Sequence, residues 1–153
     1  MINFKKHIIK KVKKSTPFCK AGKIILDRKL KNVFKKINTF LTTDSIENLH
    51  DMRISIRRFR YVMEIFYQCY NKNLFKEVYG KAKYLQDLVG EGRDLDVITH
   101  KISGIINELN LSLPESFSEK MEAEKIKVRQ LIKIELVKFI ENKNVNKFLL
   151  KSK

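Results

Sequence analysis

Residues 50–61 read HDMRISIRRFRY, and this stretch combines an apolar helical face with a basic one. At about 100° per residue, Met52, Ile56 and Phe59 fall on one side of a helix. Four basic residues fall on the opposite side: His50, Arg53, Arg57 and Arg60. Because such a helix buries one face in a core and presents the other to water, the stretch predicts a helix in a bundle.

The rest of the chain extends this pattern to a whole domain. Its 153 residues are 43% hydrophobic and 33% charged, with only five glycines and two prolines, and no segment alternates with a period of two. We therefore predict an all-α fold, an antiparallel bundle of four to five helices. The predicted helices span residues 17–41, 44–70, 74–89, 94–109 and 119–142. A basic N-terminal arm (1–16) precedes this bundle (17–142), and a short helical or frayed tail (143–153) follows it.

Two of the predicted helix boundaries rest on local signals. Asp44 followed by Glu47 has the spacing of a capping box, so we expect the second helix to start there. Gly90 and Gly92 are typical of helix ends, and Asp94 of the start of the next helix. The sequence therefore predicts a break near residues 90–93.

Cysteine usage and hydropathy bear on the compartment. Cys19 and Cys69 form no CxxC pair, and Cys69 follows an apolar helical pattern, which favours a buried, reduced thiol. No apolar run approaches the roughly 18 residues of a membrane span, and the N-terminus lacks the apolar core of a signal peptide. We expect a cytoplasmic protein.

The formal net charge of +16 predicts an anionic partner. Nucleic acid, anionic lipid and inorganic polyphosphate all remain candidates on this basis. The diffuse lysine background also has a simpler interpretation, namely solubility. Charge alone thus limits the class of partner without choosing among its members.

Arginine is concentrated at one place in this lysine-rich chain. Four of the seven arginines lie between Arg53 and Arg60, and no acidic residue occurs between Asp51 and Glu64. A solvent-exposed helix face would normally interleave acidic residues at four-residue spacing. Arginine offers a planar fork of donors that matches phosphate or carboxylate oxygens. We therefore favour an anion site over an ordinary solvated face.

His50 and the aspartates near residue 95 are more ambiguous. A single histidine near a helix start is often a packing or hydrogen-bonding residue, but here we expect it to donate to a phosphate oxygen. Asp94 and Asp96 form a conceivable metal-binding pair, although no third ligand lies nearby, and we predict no metal and no cofactor. Arg93 lies where it would point into the same groove as the arginines of residues 53–60.

The motifs of residues 50–60 and 85–97, taken together, resemble the CHAD domain, the conserved histidine α-helical domain, over about residues 20–140. The resemblance implies a helical module that binds polyphosphate through histidine and arginine side chains. By position, the implied polyphosphate-binding residues are His50, Arg53, Arg57, Arg58, Arg60, Arg93 and, in a looser alignment, Arg129. CHAD domains usually contain two such bundles around a basic cavity, whereas this chain has one set of motifs. It therefore resembles a half-domain, and we expect a homodimer.

The leading hypothesis is non-enzymatic binding of inorganic polyphosphate, which would place the protein at polyphosphate granules. A nucleic-acid-binding module is the alternative, although only Tyr61 among the aromatic residues joins the basic face. A phosphoryl-transfer enzyme with His50 as acceptor or acid is third, because no phosphate loop or catalytic set accompanies the histidine. A membrane-surface role for the lysine-rich arm also stays open.

Overall fold

The structure, a computed structural model, describes residues 11–150. Five α-helices and one short 3-10 segment make up this part of the chain, which contains no strand. They are α1 (Phe18–Thr42), α2 (Ile46–Ile65), the 3-10 segment (Tyr67–Cys69), α3 (Lys72–Leu109), α4 (Glu115–Glu141) and α5 (Lys143–Leu150). The predicted all-α bundle is confirmed. Residues 1–10 of the predicted N-terminal arm and 151–153 of the predicted tail lie outside the described residues.

The core forms because apolar residues recur every three or four positions along each long helix. These positions are Leu26, Leu30, Val33, Ile37 and Phe40 on α1, Leu49, Met52, Ile56, Phe59 and Met63 on α2, and Val128, Ile132, Leu136 and Phe139 on α4. Helix α2 packs against α1 and α3, and α4 packs against α3. Helix α5 occupies the predicted tail and adds buried Val145 and Phe148 to the same core.

Helix α3 corrects the predicted break near residue 90. It runs without interruption from Lys72 to Leu109, so the predicted third and fourth helices are one. Gly90 and Gly92 are buried inside it, and neither has a positive φ. A Cβ on Gly92 would lie 2.7 Å from Cδ1 of Ile132, so this glycine allows α4 to approach α3 closely. The two glycines thus serve helix packing, and Asp94 caps nothing.

The capping prediction at the start of α2 is also wrong in detail. The Ser45 hydroxyl accepts a hydrogen bond from the backbone N–H of Asn48, so Ser45 is the N-cap. Asp44 instead points towards α4, where it pairs with Lys133 at 2.7 Å and with Arg129. The preference for Asp44 failed because a carboxylate can find a stronger partner in tertiary structure than a backbone amide.

The two cysteines correct another prediction. Cys19, in the first turn of α1, and Cys69, in the 3-10 segment, form a disulfide. Neither thiol is buried in the core, contrary to the expectation of a buried, reduced Cys69. The pairing depends on the antiparallel return of α2 beside α1, which brings the two Cα atoms within 5.2 Å. The cysteines therefore give no support to a reducing compartment.

The ends of α3 and α4 that meet at residues 110–114 extend beyond the core. No residue from 97 to 127 is buried, whereas Asp96 and Val128 on either side are. Thirteen residues of each helix form this projection, which is about 20 Å long at 1.5 Å per residue. We call residues 97–127 the distal hairpin.

Candidate anion-binding site

Arg53 lies where α2 crosses α3, directly over Gly90. A Cβ built on Gly90 would be 3.7 Å from Nε of Arg53, so the glycine leaves room for the arginine stem to lie against α3. The Nε atom is buried and has no hydrogen-bond partner among the described residues. A buried N–H without an acceptor is costly and uncommon. The stem of Arg53 is therefore held against α3, with its Nε shielded from solvent and without an acceptor.

His50 and Arg93 meet beside Arg53. His50 lies about one turn before Arg53 on α2, and Arg93 lies one turn after Gly90 on α3. The Nε–H of Arg93 donates to Nδ1 of His50 over 3.4 Å. Because Nδ1 accepts this bond, Nε2 is the ring nitrogen left to donate to a ligand. The Nη1 atom of Arg93 lies 3.9 Å from the exposed carboxylate of Asp94, a weak pairing.

Arg57 continues this surface by one turn of α2. None of the described carboxylates lies within 4.0 Å of the guanidinium groups of Arg53 or Arg57. The adjacent acid, Asp51, accepts a hydrogen bond from Lys36 of α1, and this bond lowers the pKa of Asp51 below its ordinary value. Asp51 is thus ionised and already paired. We call His50, Arg53, Arg57 and Arg93 the basic ridge.

Arg60 differs from the basic-ridge residues because its guanidinium group bonds to other side chains of the protein. Its Nη1 and Nη2 donate to Oε1 of Gln86 at 3.0 Å and to the hydroxyl of Tyr79 at 2.6 Å, and that hydroxyl donates to Glu64. Its guanidinium also lies 4.9 Å from the centre of the Tyr79 ring and 3.5 Å from Glu64. The side chain is only 11% exposed, although its Nε has no partner among the described atoms. Arg60 joins α2 to α3.

Arg129 is held between two carboxylates of the protein itself. Its Nη1 donates to Asp44 and its Nη2 to Asp96, each over 2.6 Å. Asp96 is only 2% exposed, and Lys125 lies 3.8 Å from its other oxygen. The guanidinium of Arg129 also lies 5.6 Å from the centre of the Phe40 ring. This cluster ties α4 to α3 and to the loop before α2. Oδ2 of Asp96 accepts from Arg129, whereas Oδ1 is buried and has no hydrogen-bond partner among the described residues.

The structure therefore divides the seven predicted site residues into groups. It brings together His50, Arg53 and Arg93, with Arg57 one turn along, and it places Arg58 exposed on the flank of α2. Arg60 and Arg129 contact the protein's own polar groups. Within residues 11–150, no three side chains of the types His, Cys, Asp or Glu are grouped as a metal site would require.

Sequence reasoning missed Gly90 as part of the site. The residue was interpreted as a helix end, although its spacing of three from Arg93 would place both on one face of a continuous helix. If α3 is assumed to run unbroken through residue 90, this spacing places Gly90 next to Arg93. The signal was present, but a glycine that ends a helix and one that admits a neighbouring side chain are identical in sequence.

The comparison with known protein families concerns the same part of the chain as the basic ridge. The family model for the CHAD domain matches residues 7–103, which is more than half of the chain and includes the basic ridge and Gly90. The match ends before α4, so Arg129 lies outside it. No curated protein and no solved structure matches the chain. Among the helices described, none is both long and apolar enough to cross a membrane.

Proposed function

Because the chain belongs to the CHAD domain family, we propose that it binds inorganic polyphosphate along the basic ridge and catalyses no reaction on it. The observation that carries this proposal is the state of Arg53. Its guanidinium is half-buried, its Nε–H has no acceptor, and no described carboxylate neutralises it. A phosphate group at the guanidinium would supply the countercharge that the described part of the chain does not.

The dimensions of the ridge suit a linear polyanion. From His50 to Arg57 the α2 axis rises about 10 Å, a length that spans several consecutive groups of an extended phosphate chain. Arg53 and Arg57 lie one turn apart on α2, and Arg93 joins them from α3. Each guanidinium would contact successive phosphates, and each contact would release bound counterions, so affinity would fall as salt rises.

In this proposal the predicted site residues have three roles. The basic ridge contacts the polyphosphate, and Arg58 adds long-range attraction from the flank. Arg60 and Arg129 act indirectly, because their contacts with Tyr79 and Asp96 hold α2, α3 and α4 in register. Replacement of Arg60 or Arg129 by alanine would therefore mainly lower the free energy of unfolding of the bundle.

Nucleic acid is the competing ligand, and the ridge offers little that is specific to it. Binders of single strands stack bases on aromatic side chains. Tyr61 is 54% exposed on α2, but no other aromatic residue accompanies the ridge on that helix. Competition between long-chain polyphosphate and single-stranded DNA of equal total charge separates the two ligands. Displacement by DNA at equal charge would contradict the proposal.

The non-enzymatic part of the proposal has its own test. Incubation of the pure protein with polyphosphate should release no orthophosphate above the rate of a buffer control, with or without added Mg²⁺. A release rate that is lost in His50→Ala would assign catalysis to the ridge and would contradict this part of the proposal.

The binding test is calorimetric titration with polyphosphate at two salt concentrations. Arg53→Ala/Arg57→Ala should weaken binding by about a hundredfold or more, since each of the two charge-assisted contacts contributes roughly 1.5–3 kcal/mol in a partly buried site. Arg28→Ala/Lys120→Ala is the matched control, because it removes two positive charges from exposed positions on α1 and α4. An equal loss in both variants would mean that diffuse charge binds the ligand and would refute a specific ridge.

The proposal extends to assembly and location. The chain carries one set of the motifs that CHAD domains usually carry twice, and we include a homodimer in the proposed functional state. Association with polyphosphate granules would follow from the binding itself. A fluorescent fusion that colocalises with granules, and loses this on Arg53→Ala/Arg57→Ala, would support that location.

A further inference from the structure

The distal hairpin carries an apolar stripe that the described chain leaves largely exposed, with only Ile102 partly covered beside α4. Its α3 half has Ile98, Ile102, Ile105 and Leu109 at spacings of four, three and four residues. Ile98, Ile105 and Leu109 are 48%, 53% and 61% exposed. This spacing is the alternating d and a pattern of a coiled coil, and Leu95 extends it by one position towards the core. We call these four residues the α3 seam.

The distal hairpin is close to neutral in net charge, although the protein as a whole is strongly basic. Residues 97–127 contain four lysines and five glutamates, whereas the whole chain has a net charge of +16. Elsewhere, two copies of the chain would approach each other against like-charge repulsion. The hairpin is therefore the surface on which a second copy meets the smallest electrostatic penalty.

We propose that the α3 seam is a homodimer interface in which two copies pair α3 with α3 in antiparallel orientation. In this register Ile98 packs against Leu109 of the second copy, and Ile102 against its Ile105, so all four layers are apolar. The small groove between α3 and α4, about 230 Å³ in volume and lined by Ile102, Leu113 and Phe117, lies beside the seam and would receive side chains of the second copy.

The flanking charges select this orientation. Lys101 and Glu108 both occupy the g position, one residue before an a position of the seam. In the antiparallel register, Lys101 of each copy lies opposite Glu108 of the other, which gives two ion pairs related by the twofold axis. In a parallel pair, Lys101 would lie opposite Ile106 of the other copy and would form no ion pair. Neither Lys101 nor Glu108 pairs within the described chain.

The position of α4 is compatible with this pairing. Thr99 and Ile106 lie on the e side of the seam, and the contact of Thr99 with the α3–α4 groove shows that α4 occupies that side. The g side and the seam itself stay open to a second helix. The two Arg93 residues would lie about 30 Å apart along the helix axis. The dimer would thus carry two separate basic ridges and would not form one basic cavity between the two copies. The interface does not depend on what those ridges bind.

The primary test is the mass of the full chain in solution, by sedimentation velocity over about 5–200 µM. The wild-type chain should dimerise, and Ile105→Glu should raise the dissociation constant by about tenfold or more. Ile134→Glu on α4 is the matched control, because Ile134 is also 53% exposed but lies outside the hairpin. A wild-type monomer throughout this range, or dimer loss in Ile134→Glu alone, would overturn the proposal.

A charge exchange tests the orientation. Lys101→Glu and Glu108→Lys should each weaken the dimer by about tenfold, because each creates two like-charge contacts. The double variant Lys101→Glu/Glu108→Lys should recover wild-type dimerisation. Failure of the double variant to recover would refute the antiparallel register. Binding of monomeric wild type to anionic lipid vesicles, abolished by Ile105→Glu, would assign the seam to a membrane surface instead.

Discussion

Replacement of the α3 glycines by alanine tests the continuity of that helix and its close contact with α4. Gly104 is exposed on α3, and a Cβ there would meet nothing within 4 Å. Alanine at this position should raise the free energy of unfolding by about 0.5–1 kcal/mol, because glycine loses more backbone entropy in a helix. Gly90→Ala should give a similar gain, since its Cβ would lie at an ordinary 3.7 Å from Arg53.

Gly92→Ala should behave oppositely. The same gain in helix propensity applies, but the new Cβ would lie 2.7 Å from Cδ1 of buried Ile132 and 3.5 and 3.6 Å from side-chain atoms of Leu49 and Val128. Overpacking of this kind costs about 1–3 kcal/mol. We therefore expect Gly92→Ala to lie about 1–3 kcal/mol below Gly104→Ala in stability.

Urea unfolding followed by circular dichroism at 222 nm measures all three variants. A double-mutant cycle with Ile132→Val provides a second test. Removal of the clashing Cδ1 methyl should reduce the free energy of unfolding less in the Gly92→Ala background than in the wild type. Equal stabilisation by Gly92→Ala and Gly104→Ala would refute the close approach of α4. A loss of about 1 kcal/mol in Gly90→Ala would instead favour a helix end at that glycine, where a left-handed conformation penalises alanine.

Other predictions concern charge, pH and redox state. Arg129→Ala should cost about 3 kcal/mol in urea unfolding, because buried Asp96 would lose its strongest partner; a loss below about 1 kcal/mol would contradict a structural role. Burial raises the pKa of Tyr70 to about 12 from an ordinary 10.0. Stability should therefore be unaffected by this group below pH 10 and fall by roughly 2 kcal/mol as pH rises from 10 to 12. Tyr70→Phe should remove this fall in stability. It should also remove the phenol that ionises at the highest pH in a titration followed by absorbance at 295 nm. Reduction of the disulfide between Cys19 and Cys69, which are 50 residues apart, should lower stability by up to about 4 kcal/mol, and an unchanged melting temperature in reductant would argue against the bond.

Helix α2 and much of the basic ridge could be predicted from sequence because both patterns are local. The apolar spacing of Met52, Ile56 and Phe59 predicts which side is buried, and the structure buries all three. The clustering of arginine on the other side of α2 can be recognised without knowing where the other helices lie. Arg53 and His50 are therefore accessible from residues 50–61 alone.

The remaining features depend on which segments meet, and sequence patterns do not encode that. Arg129 and Arg57 have the same chemistry, but only Arg129 finds carboxylates, one of them 85 residues away in the chain. The disulfide likewise requires the return of α2 beside α1. The tertiary role of the α3 glycines, contact with Arg53 and Ile132, is not distinguishable in sequence from a helix-ending role, because glycine is common in both positions.

The contact of Arg53 with Gly90 means that the shape of the basic ridge depends partly on an uncharged residue. Alanine fits at position 90, but a branched side chain would fill the space that the arginine stem uses and would displace the guanidinium. The isoelectric point and the number of basic residues would be identical before and after such a change. Under the proposed function, polyphosphate affinity and net charge would therefore vary independently at this position.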